Sequence, residues 1–257
     1  MIVDPLVDRL VALAIEEDLA LGDPTTDATV PAGAIGEGRI VAKSPLVVAG
    51  LGVAQRVFAA VDPELVVHWY LAEGDVVEAG TCVGSVRGSV RALLRAERPA
   101  LNFLQRLCGV ATLTRSFVEA VRGTSASVVD TRKTTPGWRV LEKAAVRAGG
   151  GKSHRLSLGS GILIKDNHVD AAGGVTAAIA GARAHAPHLL GIEIEVRTLQ
   201  ELDEAIGAGA HIVLLDNMTL DQLRVAAERA RAAGALSEAS GGVRLDTIRA
   251  IAETGVD

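Results

Sequence analysis

The residues best suited to chemistry gather in one stretch, residues 130–168, which reads DTRKTTPGWRVLEKAAVRAGGGKSHRLSLGSGILIKDNH. It carries eight Lys or Arg (Arg132, Lys133, Arg139, Lys143, Arg147, Lys152, Arg155, Lys165) against three acids (Asp130, Glu142, Asp166), in a chain whose formal net charge is -5. Several of these cations stand where an apolar run stops. Arg132 and Lys133 come just after Ser127-Val128-Val129, and Lys165 follows Ile162-Leu163-Ile164. A charge at the end of a buried strand is held over a pocket, because the strand fixes its backbone while apolar neighbours lie beneath. The pattern points to a small molecule with several negative charges.

A second set of polar residues follows the same rule. Glu193 and Glu195 stand at i and i+2 in GIEIEV, on one face of a strand. Asp216 and Asn217 close HIVLLDN, and Ser240-Gly241-Gly242 precedes a helical pattern, where bare amides and a helix N-terminus favour phosphate. The expected site combines cations, two or three carboxylates and a glycine-rich anion nest. Blander roles compete for some of these residues. Arg139, Lys143 and Arg147 recur every four residues and read as a solvated helix face, with Glu142 beside them. Gly149-Gly150-Gly151 serves as a helix cap, as an anion nest, or as both. Glu193 reads as an interior salt-bridge partner, and Glu195, nearer the strand end, as the working acid. His154 fits a surface or a functional role equally well. His68, His185, His188 and His211 have no partners at metal-like spacing and read as structural.

The elements that must position these groups fall into two kinds. Residues 5–21 have helical spacing, with Asp4 as N-cap and Gly22 as a stop. Short alternating runs broken by glycine follow at residues 38–42, 46–50, 64–70, 74–77 and 80–86, with a helical pattern at 55–60 between them. Residues 90–121 are helical in period, with a kink or a fresh start expected at Pro99 and breaks at Gly109 and Gly123. From Ser125 onward, strand-like ends near Asp130, Lys165, Val196, Asp216 and Ala239 alternate with helical sequence. Five or more parallel strands in repeated βα units predict a barrel. The fold class expected is α/β: an incomplete, open, TIM-like α/β barrel at residues 102–257, preceded by a small α+β sandwich domain at residues 1–101.

Composition narrows the partners. Hydrophobic residues are 49 % and charged ones 22 % of the 257, as in a folded enzyme with ample core. Aromatics are only 2 %, and with the negative balance this argues against nucleic acid, which needs stacking platforms and a basic face. Cys82 and Cys108 stand apart, which fits a reducing cytoplasm. The first residues are too acidic for a secretory signal, and no apolar run reaches membrane-spanning length, so no membrane partner is expected.

DTRKTTPG, then GGG-x-SHR, ILIKDNHV, EIEV and LLDN, with EEDLALGDPTTDATVP and LLRAERPALNFLQRLCGVATLT upstream, resembles the quinolinate phosphoribosyltransferase family over essentially the whole chain. The resemblance implies transfer of ribose 5-phosphate from phosphoribosyl pyrophosphate to quinolinate, with loss of CO2, release of pyrophosphate and a magnesium requirement. It implies that Arg132, Arg155 and Lys165 with His154 bind quinolinate, that Thr131 also binds substrate, and that Lys133 meets phosphoribosyl pyrophosphate. It assigns Glu195 and Asp216 to the ribose hydroxyls and magnesium, and Ser240, Gly241 and Gly242 to phosphate. Arg98 resembles an arginine that crosses from a neighbouring subunit, which implies a homodimer or a higher homo-oligomer. Ser153 stands where the family often has Asn. The final residues resemble the start of a further barrel strand, which family members continue into a Gly-Ala turn and a returning tail. Two rivals share parts of the pattern: nicotinate phosphoribosyltransferase, whose substrate has one carboxylate, and non-catalytic anion-binding paralogues associated with molybdenum transport, which tend to lose the KDNH segment kept here at residues 165–168.

Overall fold

Strands of two kinds build this protein, and they divide it into two compact units. The computed structural model describes residues 5–257. One unit runs through Arg115 and takes back Lys133–Ser153; the other comprises Ser116–Arg132 and His154–Asp257. The boundary expected between residues 101 and 102 falls inside one continuous helix.

In the first unit, α1 (Pro5–Leu19) and α2 (Pro24–Thr29) precede the strands β1 (Ile35–Val41) and β2 (Leu46–Val47). Then come α3 (Leu51–Val61), β3 (Val66–Trp69), β4 (Val76–Val77) and β5 (Cys82–Ser89). The sheet order is β1-β5-β3, all antiparallel, with β2 and β4 paired separately. This is the twisted small sheet that the glycine-broken runs predict. The cap expected at Asp4 lies outside the described residues. Gly22, at φ 79, stops the first helical stretch.

Helix α4 (Val90–Ala120) is unbroken through Pro99, where a kink or restart was expected. Pro99 is buried and lies among Ala92, Ala96, Ala100, Phe103 and Leu104 of the same helix, all buried. Packing of this long apolar face outweighs the one backbone hydrogen bond that proline removes. Helix α5 (Arg139–Ala148) adds Leu141 and Ala145 to the same core as Phe103 and Leu107. Gly149 ends α5 at an ordinary φ of -72. A Cβ there would lie 2.4 Å from the Ala111 carbonyl oxygen, so glycine lets the chain pass close against α4.

The second unit is repeated βα. Strand β6 (Ile162–Ile164) leads to α6 (Asp166–Ala172) and α7 (Val175–His185), β7 (Ile192–Val196) to α8 (Leu199–Gly207), and β8 (Ile212–Asp216) to α9 (Leu220–Ala232). Strand β9 (Leu236–Ser240) is followed by the short α10 (Ile248–Ala252). The sheet order is β6-β7-β8-β9, every pair parallel. Thr198 and Thr219 cap α8 and α9 by accepting from Glu201 N–H and Gln222 N–H. Five or more parallel strands were expected, and four form among the described residues. The run before Asp130 contributes a single bridge residue, Val129, instead of a strand.

The four strands have two unlike faces. Ile192, Ile194, Val196, Val213 and Leu215 pack with Ile179, Leu202, Leu223 and Ala226 of the helices in one apolar cluster. Because successive side chains alternate, Glu193, Glu195, Leu214, Asp216, Glu238 and Ser240 take the opposite face. The parallel register pairs Glu195 with Leu214, Leu214 with Glu238, and Asp216 with Ser240, which sets these polar groups in level rows.

Candidate active site

The polar face of the second sheet carries the acids that the sequence singles out, Glu193, Glu195 and Asp216, together with Ser240. Lys165 leaves the end of β6 and its Nζ donates to Glu195 Oε2 on β7 at 2.6 Å. Asp216, at the end of β8, accepts from Asn217 Nδ2 at 2.8 Å. Two residues further into the sheet than Glu195, Glu193 is buried and its Oε2 lies 2.8 Å from His154 Nε2. Glu238 of β9 brings its Oε2 to 3.7 Å from the same nitrogen. The loop that carries His154 is tied from the other side as well, since His154 N–H donates to Asp130 Oδ1 at 2.8 Å.

His154 has both ring nitrogens engaged. Arg155 N–H donates to Nδ1 at 2.7 Å, so Nδ1 acts as acceptor and the proton resides on Nε2, facing Glu193. The ring therefore joins the loop to the strands, a role that the bare sequence leaves open. Arg155 is half-buried, and burial together with the nearby Arg132 charge lowers its pKa, while Glu193 opposes the shift. A guanidinium group can hold a carboxylate through two N–H donors, so Arg132 and Arg155 are suited in kind to paired carboxylates.

The acidic layer beneath these cations is unusual in two ways. Oε1 of Glu193 is buried with no hydrogen-bond partner among the described residues. The Glu238 carboxyl is pushed up to about 7 by burial first, then by the Glu193 and Asp130 charges, with His154 pulling the other way. Glu238 stands alone in LSEAS, and its partners come from other segments, so only the midstrand position of an acid could have flagged it.

The glycine-rich turn follows directly on β9. Gly241 and Gly242 both have positive φ, of 90 and 63. A Cβ at Gly241 would sit 2.1 Å from Asn217 Oδ1, so only glycine passes here. Helix α10 begins six residues beyond Gly242 and is one turn long, and its N-cap residue Thr247 donates through Oγ1 to the Gly242 carbonyl at 3.2 Å. Ser240 itself accepts from Asn217 N–H through its carbonyl at 2.9 Å.

Thr131 and Arg132 belong to this second unit, Thr131 exposed and Arg132 half-buried. Lys133, exposed, begins the returning segment of the first unit, and Arg98 is an exposed residue on α4. The solvated face expected for α5 is corrected. Lys143 is 1 % exposed and Glu142 8 %, whereas Arg147 is exposed and donates to Ser153 Oγ at 3.1 Å. Gly149 caps α5 and packs close to α4.

Glu195 and Asp216 suit a magnesium ion in kind and placement. They are oxygen donors on one face at the ends of neighbouring strands, and two carboxylates with substrate phosphates are what this small hard cation usually takes. His154, Glu193 and Glu238 also bring ligand atoms within 4.8 Å of one another. The pair Arg132 and Arg155 next to them disfavours a cation at that point.

Comparison with known proteins decides the lineage. Residues 23–108 match the family "Quinolinate phosphoribosyl transferase, N-terminal domain" and residues 110–257 match "Quinolinate phosphoribosyl transferase, C-terminal domain". The chain belongs to the quinolinate phosphoribosyltransferase family. It is 42 % identical over 259 residues to the probable nicotinate-nucleotide pyrophosphorylase [carboxylating] of Synechocystis, covering 100 % of this chain and 86 % of that protein. It is 45 % identical over 250 residues to the nicotinate-nucleotide pyrophosphorylase [carboxylating] of Mycobacterium leprae, covering 95 % and 87 %. The solved structure of NadC from Streptococcus pyogenes superposes with a TM-score of 0.92 at 41 % identity, over 97 % of this chain and 88 % of that one. These matches carry the fold class expected, α/β with a small N-terminal sheet domain and a parallel-stranded domain consistent with an open barrel. Human nicotinic acid phosphoribosyltransferase shares the fold alone, at TM-score 0.65 and 14 % identity.

Proposed function

We propose that this chain transfers the phosphoribosyl group of phosphoribosyl pyrophosphate to the nitrogen of quinolinate, with loss of CO2, to give nicotinate mononucleotide and pyrophosphate in NAD synthesis. The observation that carries this reading is the polar face of the second sheet, where Glu193, Glu195 and Asp216 share one side, Lys165 donates to Glu195, and His154 joins Glu193 to the Arg155 backbone. A dicarboxylate and a polyhydroxylated phosphate ester are the ligands such a face is built to hold.

In this reading Arg132 and Arg155 grip the two carboxylates, with Thr131 beside them, and hold the ring nitrogen in line with the ribose C1. That orientation supplies much of the rate. Glu195 and Asp216 hold the ribose hydroxyls, and would hold magnesium, which neutralises pyrophosphate when bound. Lys133 and the Ser240-Gly241-Gly242 turn take phosphate groups. As the C1–O bond to pyrophosphate breaks, C1 gains oxocarbenium character, which the carboxylates favour. The alkylated nitrogen is cationic and accepts the electron pair released when the 2-carboxylate leaves as CO2. His154 has both ring nitrogens engaged, which leaves the Lys165 ammonium to protonate the ring carbon and recover its own proton from water. His154 serves quinolinate indirectly, by fixing Arg155. Arg98 completes a neighbouring subunit's pocket in a homodimer or higher homo-oligomer. The two free thiols fit a cytoplasmic protein, and no described helix is long and apolar enough to cross a membrane.

The test is to incubate the protein with quinolinate, phosphoribosyl pyrophosphate and magnesium, and to follow nicotinate mononucleotide and CO2. Turnover of nicotinate with none of quinolinate would overturn the reading. So would tight quinolinate binding without product, which is the outcome for an anion-binding paralogue.

A further inference from the structure

Lys133 emerges from an irregular turn, Lys133-Thr134-Thr135-Pro136-Gly137, that no strand or helix supports directly. Its shape is held instead by one buried carboxylate. Glu142, in the first turn of α5, is 8 % exposed. Its Oε2 accepts from Thr135 N–H at 3.1 Å and its Oε1 accepts from Thr135 Oγ1 at 2.7 Å. Arg106 of α4 donates through Nη2 to Glu142 Oε1 at 3.0 Å and to Thr135 Oγ1 at 3.2 Å, which closes a ring of three side chains. Arg139 Nε donates to Thr134 Oγ1 at 3.1 Å, and Trp138 N–H to the Thr135 carbonyl at 3.0 Å.

The base of this ring is rigid. Trp138 stacks on Phe103 of α4 with centroids 4.7 Å apart, and Leu141 and Ala145 share a core with Leu107. A buried carboxylate is costly unless hydrogen-bonded, and this one is held by Thr135 of the turn and by Arg106, the arginine that joins it. Burial pushes the Glu142 carboxyl up. The Thr135 hydroxyl and N–H, with Arg106, outweigh that and hold it below the usual range, so the brace stays ionised at neutral pH.

We propose that Glu142 is a positioning residue, which with Arg106 and Thr135 locks the turn presenting Lys133 and so sets the protein's grip on the diphosphate of phosphoribosyl pyrophosphate. This rests on the assignment of Lys133 under the proposed function. Glu142 acts on substrate only indirectly, through the N–H and hydroxyl of Thr135. A packed core, a carboxylate and a threonine thus convey rigidity to a lysine that would otherwise sample many directions.

The experiment uses the whole protein and the variants Glu142→Gln, Thr135→Val and Thr135→Ser. Amide hydrogen exchange across residues 133–137 needs no substrate and reads the brace itself. It should quicken at least about ten-fold in Glu142→Gln and Thr135→Val, and stay near wild type in Thr135→Ser, which keeps the hydroxyl. KM for phosphoribosyl pyrophosphate should then rise on the order of ten- to a hundred-fold in the first two variants, the scale of a misplaced group. KM for quinolinate should change far less, and Thr135→Ser should restore both values. Faster exchange with an unchanged KM for phosphoribosyl pyrophosphate would reduce the brace to a stability device and overturn the proposal. Unchanged exchange in Glu142→Gln would do the same. A wild-type protein that neither binds nor uses phosphoribosyl pyrophosphate would instead defeat the proposed function, while the exchange data would still judge the brace.

Discussion

At the scale of the residue, Glu238 sets a measurable pH signature. Its folded pKa of about 7 lies above the ordinary 4.5. Between those values the folded chain keeps a proton that the unfolded chain has released, so stability falls as pH rises across that window and levels off outside it. Urea unfolding at intervals from pH 4.5 to 7.5 should show this slope in wild type and lose it in Glu238→Gln. Parallel curves for the two proteins would contradict the assignment. Arg155 makes a different prediction. Arg155→Ala should weaken quinolinate binding by roughly ten- to a hundred-fold, the worth of charged hydrogen bonds, while calorimetry with phosphoribosyl pyrophosphate moves much less. Equal losses would refute the division of roles. Arg155 is legible in the sequence because it interrupts a glycine- and serine-rich break near strand ends. Glu238 and Glu142 are not, because each looks like an ordinary solvated acid until distant segments converge on it.

At the scale of the element, glycines separate steric from conformational effects. Gly149→Ala asks nothing of the backbone, whose φ is -72, yet drives a methyl into the Ala111 carbonyl and Thr114. It should destabilise by about 1–3 kcal/mol, as overpacking does. Gly181→Ala, in exposed α7 with nothing within 4 Å, should stabilise by up to about 1 kcal/mol. Chemical denaturation of both variants checks the contrast, and the same sign for both would contradict it. The strands β6 to β9 were readable because β-branched runs recur between helical periods. The unbroken α4 was not, since local preference at Pro99 says break and only the packed face overrules it. The strand expected before Asp130 fails for a related reason: three suitable residues do not make a ladder without a partner in register.

At the scale of the whole molecule, the fold class and the family were legible because long ordered motifs span the chain. The partition was not, because the segment Lys133–Ser153 returns to the first unit after the chain has entered the second. If Arg98 completes a neighbour's pocket, inactive Arg98→Ala and inactive Lys165→Ala chains should rescue each other on mixing. Random exchange of a symmetric dimer leaves about a quarter of all sites intact. Activity that stays at zero after proven exchange would refute the shared site. The two-faced sheet has a further consequence. Chemistry and cohesion are written on the same five-residue strands, one residue out of phase, so the protein has two nearly independent alphabets. Under the proposed function, changes at Glu195 retune what is recognised, and changes at Ile192, Ile194 or Val196 retune how firmly the strand is held. Inserting a single residue within β7 would exchange the two, turning the hydrocarbon rows toward the substrate and the acids toward the helices.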